Sequence, residues 1–151
     1  MSYIIGLFVT SKYLKGFCAL WAGWIYFSSS VVITRFQFAD AFSKVTGLRH
    51  AVAMRIWEGA WWITDRAYHV IVFGILSLAL LNAFTYFKKR PLLICPLVFL
   101  FAALDEYHQS VVNFPAAHFY DVFIDSIGIL VALWIFIRVQ IKQDSLAAST
   151  L

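Results

Sequence analysis

The sequence predicts an all-α integral membrane protein, a bundle of about four transmembrane helices with an interfacial helix between the first and the second. Two observations predict it. Hydrophobic residues make up 62% of the 151 residues and charged residues only 13%, so polar side chains could not cover the surface in water. The apolar residues also form long runs with charges near their ends. No linker or shift in composition divides the chain, so we expect a single membrane domain over residues 1–151.

The four predicted spans are apolar segments that suit a hydrocarbon layer of about 30 Å, which takes about 20 helical residues. The first follows two lysines and contains three consecutive serines near its end. This pattern is similar to a signal peptide, but we expect the segment to remain as an uncleaved helix. The third and fourth contain charges only near their ends, where water and headgroups reach them. The spans are residues 16–33, 67–87, 91–109 and 119–138.

An interfacial helix is predicted between the first two spans, within residues 34–66. Met54, Trp57 and Trp61 share one helical face because they are spaced by three and four residues. Tryptophan prefers the headgroup level, since that level accommodates both its apolar ring and its polar N–H group. We therefore expect this helix to lie along the membrane surface.

The basic residues predict the orientation of the bundle. Lys88, Lys89 and Arg90 stand directly before Pro91 in a short connection between the second and third spans, and short basic connections stay on the cytoplasmic side. Both termini are then cytoplasmic, in a multi-pass protein of the bacterial inner membrane. The net charge of +4 is spread over the ends of apolar runs, so nucleic acid is not an expected partner.

Polar residues gather at the outward ends of the second, third and fourth spans in this orientation. Asp65 and His69 are four residues apart and share a helix face, as do Asp121 and Asp125. Charged groups within a membrane helix are costly unless they are paired or solvated, so they mark functional sites. We interpret the set as a binding site and name it the polar cluster. Its members are Asp65, Arg66, His69, Asp105, Glu106, His108, Gln109, Asp121 and Asp125.

Other interpretations of single residues and of the polar cluster also bear on function. The cluster can instead be a hydrogen-bonded plug that only holds the helices together. No HExxH or paired ExxH spacing is present, so neither a metal site nor a cofactor is predicted. No nucleophile elbow or phosphate-binding glycine loop is present, so no catalytic residue is assigned and enzymatic activity stays open.

His118 is interpreted as an interfacial side chain, and Cys18 and Cys95 as buried free thiols.

Three segments resemble the VanZ-like family of small bacterial membrane proteins, named after a protein associated with resistance to the glycopeptide teicoplanin. Residues 65–69 (DRAYH) are similar to the family's Asp-Lys-x-x-His, and residues 104–109 (LDEYHQ) to its Asp-Glu-x-x-Gln. Residues 121–128 are similar to its Asp-Val-x-x-Asn/Asp-x-x-Gly. The chain departs from the family at residues 113–118, which lack the arginine of a usual Pro-Gly-Arg-like stretch. The resemblance implies a role in the cell envelope but no particular reaction.

These observations lead to two hypotheses of function. In the first, the polar cluster faces outward and binds the headgroup of a membrane lipid or a lipid-linked envelope precursor. If this protein is an enzyme, it would also modify the headgroup or precursor that it binds. In the second, the protein is a non-enzymatic accessory or assembly subunit of a larger membrane complex. Its aromatic residues, 19% of the chain, would then pack against partner membrane proteins.

Overall fold

A computed structural model describes residues 2–31, 33–112 and 120–149, with side chains from residue 12 onward. Helices form nearly all of this part of the chain, which contains no β-strand, and this confirms the prediction of an all-α protein. In chain order the elements are α1 (Ser2–Ser29), α2 (Arg35–Thr46), α3 (His50–Ala83), α4 (Thr85–Lys89), a 3-10 turn (Pro91–Leu93), α5 (Ile94–Val112) and α6 (Asp121–Ser149).

Three helices in these ranges are long and apolar enough to cross a membrane. They are α3, α5 together with the 3-10 turn before it, and α6. They overlap with the predicted spans at residues 67–87, 91–109 and 119–138, although α3 ends four residues before the second predicted span does and residue 119 lies outside the described ranges. α1 packs beside α3 as a helix of 28 residues, and the assignment of residues 16–33 as a fourth span stays a prediction.

Most of the second predicted span lies within a much longer helix, α3, and its last residues belong to the start of α4. α3 continues for 34 residues and includes the tryptophans that were expected in a separate interfacial helix. No proline interrupts it, and isolated glycines such as Gly59 are tolerated within a helix. At about 1.5 Å per residue α3 is about 51 Å long, which exceeds a hydrocarbon layer of about 30 Å. If α3 crosses that layer, a long part of it extends beyond.

α2 folds back against the first turns of α3. Thr34 caps the start of α2 through a capping box, and Gly47 follows its end with a φ of 72°, a left-handed conformation that favours glycine. The ring of Phe38 packs on that of Trp57, with 5.0 Å between centroids, and Trp57 stacks on Trp61 at 3.7 Å. The tryptophan face predicted from the spacing therefore includes the contact surface for α2.

The core lies mainly between α3 and α6, the most extensive helix pair in the described chain. Apolar side chains from several helices fill it, among them Phe73 of α3, Val98 of α5 and Ile129 of α6. Many large apolar side chains on the outer faces are exposed, as expected where a bundle contacts lipid tails instead of water. Both cysteines are free thiols, and Cys18 is buried whereas Cys95 is only half-buried.

Two glycines allow α3 and α6 to approach closely next to the polar cluster. A Cβ atom added at Gly128 would lie 2.2 Å from the carbonyl oxygen of Val70, and one added at Gly74 would lie 3.3 Å from the carbonyl oxygen of Gly128. Backbone atoms cannot rotate away from such contacts as a side chain can, so position 128 accepts only glycine at this helix separation. The close approach positions the side chains that lie one turn away on each helix.

Candidate functional site

The polar cluster lies at one end of the bundle, although its residues occupy different positions along their helices. The end of α1, the middle of α3, the last turns of α5 and the first two turns of α6 meet there. α4, which contains Lys88 and Lys89, connects α3 to α5 at the opposite end. The apolar length of the helices therefore separates the acidic end of the bundle from the basic end.

A buried histidine and a buried aspartate form the centre of the polar cluster. His69 Nδ1 of α3 and Asp125 Oδ1 of α6 are 2.9 Å apart, and the two residues are 9% and 1% exposed. The other carboxylate oxygen of Asp125, Oδ2, is buried and has no hydrogen-bond partner within the described ranges. Sequence spacing places Asp65 on the same face of α3 as His69. His69 instead forms its hydrogen bond with Asp125, which lies opposite it on α6.

Glu106 and Asp121 are also buried, with 2% and 4% exposure. One carboxylate oxygen of Glu106 and ligand atoms of His69 and Asp125 all lie within 4.8 Å of one another. Asp121 forms a similar group of three with Asp65 and His69. His69 is therefore shared by two sets of atoms that are suited to bind a cation.

Two serines, the last residue of α1 and the residue after it, contact the polar cluster. Ser29 Oγ donates a hydrogen bond to Asp105 Oδ1 at 2.8 Å, and Gln109 Nε2 donates to Asp105 Oδ2 at 3.3 Å. Ser30 Oγ lies 2.8 Å from His108 Nε2. The sequence alone does not identify these serines as site residues, because serine is also common at helix ends. One feature of the sequence could have indicated them: the run of three serines falls at the end of the first predicted span that lies on the same side of the bundle as the acidic residues.

The buried part of the polar cluster has an excess of acidic groups. In the part of the chain that the structure describes, four carboxylates with at most 5% exposure surround one buried imidazole. Removing a carboxylate from water costs several kcal/mol unless a proton, a cation or hydrogen bonds compensate for it. The site therefore favours protons and cations. His69, which Asp125 orients and which also lines an open cleft, can accept or donate a proton there.

Arg66 and His108 lie at the edge of the polar cluster. The guanidinium of Arg66 donates a hydrogen bond to Tyr120 Oη and lies 3.8 Å from a carboxylate oxygen of Asp65. The ring of His108 stacks on that of Tyr26, with 4.3 Å between centroids. Neither residue lines the cleft that adjoins the cluster, so we expect Arg66 and His108 to position other groups and not to contact a ligand in the cleft.

A cleft of about 560 Å³ opens between the polar cluster and α1. Its volume lies within the usual range of small-molecule sites, about 300–1,000 Å³. Aromatic and aliphatic side chains such as Trp24, Phe27 and Trp61 form the apolar part of its lining. The polar part includes five members of the polar cluster, which are Asp65, His69, Asp105, Gln109 and Asp121. A ligand with both a polar group and an apolar chain fits such a lining.

Of the comparisons with known proteins, the one with family models identifies a family for this chain. The sequence model of the VanZ/LLP1 family matches residues 16–141, a range that includes all nine residues of the polar cluster. No curated protein and no solved structure matches the chain. Together with the three apolar helices, the family match identifies a membrane protein. His118 and the segment at residues 113–118, where the family arginine is missing, lie outside the described ranges.

Proposed function

The chain belongs to the VanZ/LLP1 family, and from this premise we propose that it binds the headgroup of a membrane lipid or of a lipid-linked envelope precursor. The observation that supports this proposal most strongly is the lining of the cleft, in which buried carboxylates stand opposite exposed aromatic rings. A lipid presents the same combination, a polar headgroup next to apolar chains. The headgroup would contact the polar cluster, and the chains would follow the apolar side chains of α1 into the bilayer.

The charges of the lining indicate which headgroups fit. Asp65, Asp105 and Asp121 line the cleft together with the amide of Gln109, whereas no lysine or arginine among the described side chains does. Carboxylates accept hydrogen bonds from ammonium and hydroxyl groups and repel a bare phosphate. We therefore propose an amine-bearing or hydroxyl-rich headgroup, such as an ethanolamine or a sugar. Trp61, which also lines the cleft, offers a flat apolar surface to a sugar ring.

The proposed orientation places the cleft at the outer side of the bacterial inner membrane. The basic segment that ends in Arg90 lies at the opposite end of the bundle, and short basic connections remain in the cytoplasm. Both termini are then cytoplasmic, and the polar cluster faces the envelope, where lipid-linked precursors are used. A lipid of the outer leaflet would reach the cleft sideways, between α1 and the helices it packs against.

Lipid retention tests this proposal. The protein is purified from bacterial membranes in a mild detergent, and native mass spectrometry identifies the lipids that remain bound. Asp105→Asn removes a charge that contacts the cleft, and the loss of one charge-assisted hydrogen bond should reduce retention about tenfold. Asp144→Asn is the matched control, because Asp144 is an exposed carboxylate near the far end of α6. It should retain the same lipids as the wild type.

Two outcomes would count against lipid binding. If Asp105→Asn is folded by circular dichroism and thermal unfolding but retains the same lipids as the wild type, the cleft is not the lipid site. If the wild type instead purifies in a fixed ratio with other membrane proteins, and folded variants of the polar cluster keep that complex, the accessory-subunit hypothesis is supported.

A further inference from the structure

We propose that His69, Glu106 and Asp125 bind one divalent transition-metal ion, Zn²⁺ or Mn²⁺, between α3, α5 and α6. Each of the three helices supplies one ligand, and the ligand atoms lie within 4.8 Å of one another. The proposal does not depend on which lipid, if any, occupies the neighbouring cleft. It concerns the buried side of His69, behind the cleft lining, because neither Glu106 nor Asp125 lines the cleft.

The distances fit a metal ion after small side-chain movements. Nitrogen and oxygen ligands stand about 2.0–2.2 Å from zinc, so two ligands of one ion are separated by about 3–4.4 Å. His69 Nδ1 and Asp125 Oδ1 are 2.9 Å apart and form a hydrogen bond, so His69 would bind the ion either through Nε2 with this hydrogen bond kept, or through Nδ1 after that nitrogen loses its proton. The upper bound of 4.8 Å for the third ligand, Glu106, exceeds the range by a few tenths of an ångström, which a carboxylate can correct by rotating.

The buried oxygen of Asp125 is an independent observation that points to a cation. Asp125 is 1% exposed, and its Oδ2 atom has no hydrogen-bond partner within the described ranges. A buried acceptor without a partner destabilises the folded protein, and more so when it is charged. A metal ion that binds this carboxylate would remove that destabilisation. It would also neutralise the negative charge that Asp125 shares with Glu106 in the same buried region.

The ligand types favour a transition metal. An imidazole nitrogen suits Zn²⁺ and carboxylate oxygens suit both Zn²⁺ and Mn²⁺, whereas Mg²⁺ and Ca²⁺ prefer oxygen ligands alone. The sequence motifs for such sites place two ligands on one helix. Here each ligand lies on a separate helix, so the spacing along the chain contains no metal signature.

A neighbouring set shares His69 with Asp65 and Asp121. We assign the ion to Glu106 and Asp125 because both are at most 2% exposed, whereas the side chain of Asp65 is 33% exposed and can be solvated without a metal. The two sets are distinguished by substituting one carboxylate of each.

Metal titration of the purified protein tests the assignment. The full chain in detergent is treated with a chelator, the chelator is removed, and Zn²⁺ and Mn²⁺ are added in a calorimeter. We expect one ion per chain and a higher midpoint of thermal unfolding with metal. Glu106→Gln should weaken binding at least about tenfold, and Glu58→Gln, an exposed glutamate of α3, should leave it unchanged.

Three results would overturn the proposal. The first is a wild-type protein that binds neither metal. The second is a folded Glu106→Gln variant that binds as tightly as the wild type. The third is an Asp65→Asn variant that loses binding while Glu106→Gln keeps it, since this would place the ion in the neighbouring set. If Glu106→Gln does not fold, Co²⁺ added to the wild type decides. Binding by an imidazole and two carboxylates should shift and strengthen the visible absorption of aqueous Co²⁺, and an unchanged spectrum refutes the site.

Discussion

Replacing Gly128 by alanine should separate α3 from α6 next to the polar cluster. The new Cβ atom would lie 2.2 Å from the carbonyl oxygen of Val70, 3.0 Å from its carbonyl carbon and 3.1 Å from the amide nitrogen of Gly74. All three are backbone atoms of α3, so no side-chain rotation can relieve the contact. The helices must therefore move apart or the backbone of one of them must distort.

The size of the effect follows from these distances. A carbon and an oxygen in ordinary contact are separated by about 3.3 Å, so α6 must move about 1 Å away from α3. His69 Nδ1 and Asp125 Oδ1, now 2.9 Å apart, would then exceed the usual limit of a hydrogen bond, about 3.2 Å. Overpacking costs about 1–3 kcal/mol, and a lost hydrogen bond between membrane helices costs about 0.6–1.7 kcal/mol. We expect a loss of about 2–4 kcal/mol in the free energy of unfolding.

The assay is a titration with sodium dodecyl sulfate in mixed micelles, in which circular dichroism follows unfolding. Gly59→Ala is the matched control, because within the described ranges a Cβ added at this exposed position of α3 has nothing within 4 Å apart from its chain neighbours and the backbone of its own helix. It should change stability by less than about 1 kcal/mol, and in the stabilising direction, since alanine favours helix more than glycine does. A double variant with Asp125→Asn should lose less than the sum of the two single losses, because both changes disrupt the same hydrogen bond.

A Gly128→Ala variant as stable as Gly59→Ala would refute this reasoning. It would mean that the two helices are not in backbone contact at this position. If the losses in the double variant are strictly additive, the conclusion that the two helices are in backbone contact still holds. The contact would then not be what positions Asp125.

Three smaller substitutions test other contacts. Trp21→Phe removes the hydrogen bond from the indole Nε1 to the carbonyl oxygen of Val72 (2.9 Å), which joins α1 to α3, and should cost about 1 kcal/mol in the same titration. Ser29→Ala removes the hydrogen bond to Asp105 and should also cost about 1 kcal/mol, so an unchanged midpoint would contradict that contact. Thr34→Ala removes the capping box of α2 and should cost about 1 kcal/mol locally. Amide exchange should then accelerate in α2 but not in the middle of α3.

The arrangement of the site could be predicted only within each helix. The spacing of four residues between Asp121 and Asp125 predicts that both side chains face the same way, and both are buried. Spacing cannot identify a partner on another helix, because that depends on how the two helices are rotated and how closely they approach. His69 therefore has Asp65 one turn away in sequence but forms its hydrogen bond with Asp125.

The fold shows a similar limit at the start of α3. The hydropathy of the chain rises near residue 67, where the second span was predicted to begin, yet the helix begins at His50. Hydropathy indicates which residues suit the hydrocarbon layer. The start of a helix depends instead on backbone hydrogen bonding and on the absence of proline, and Trp57 and Trp61 belong to the same helix as the apolar residues that follow.

The short apolar length of α5 has a consequence for the bilayer around the protein. Only about 24 Å separate Arg90 from Asp105, at rises of about 2.0 Å per residue in the 3-10 turn and 1.5 Å in the helix, whereas a typical hydrocarbon layer is about 30 Å thick. A bilayer that contacts α5 along its whole length must become thinner by several ångströms to match it, or admit water next to Asp105. Thinning would bring the lipid headgroups down to the level of the cleft. A lipid could then present its headgroup there while its chains remain in their own leaflet.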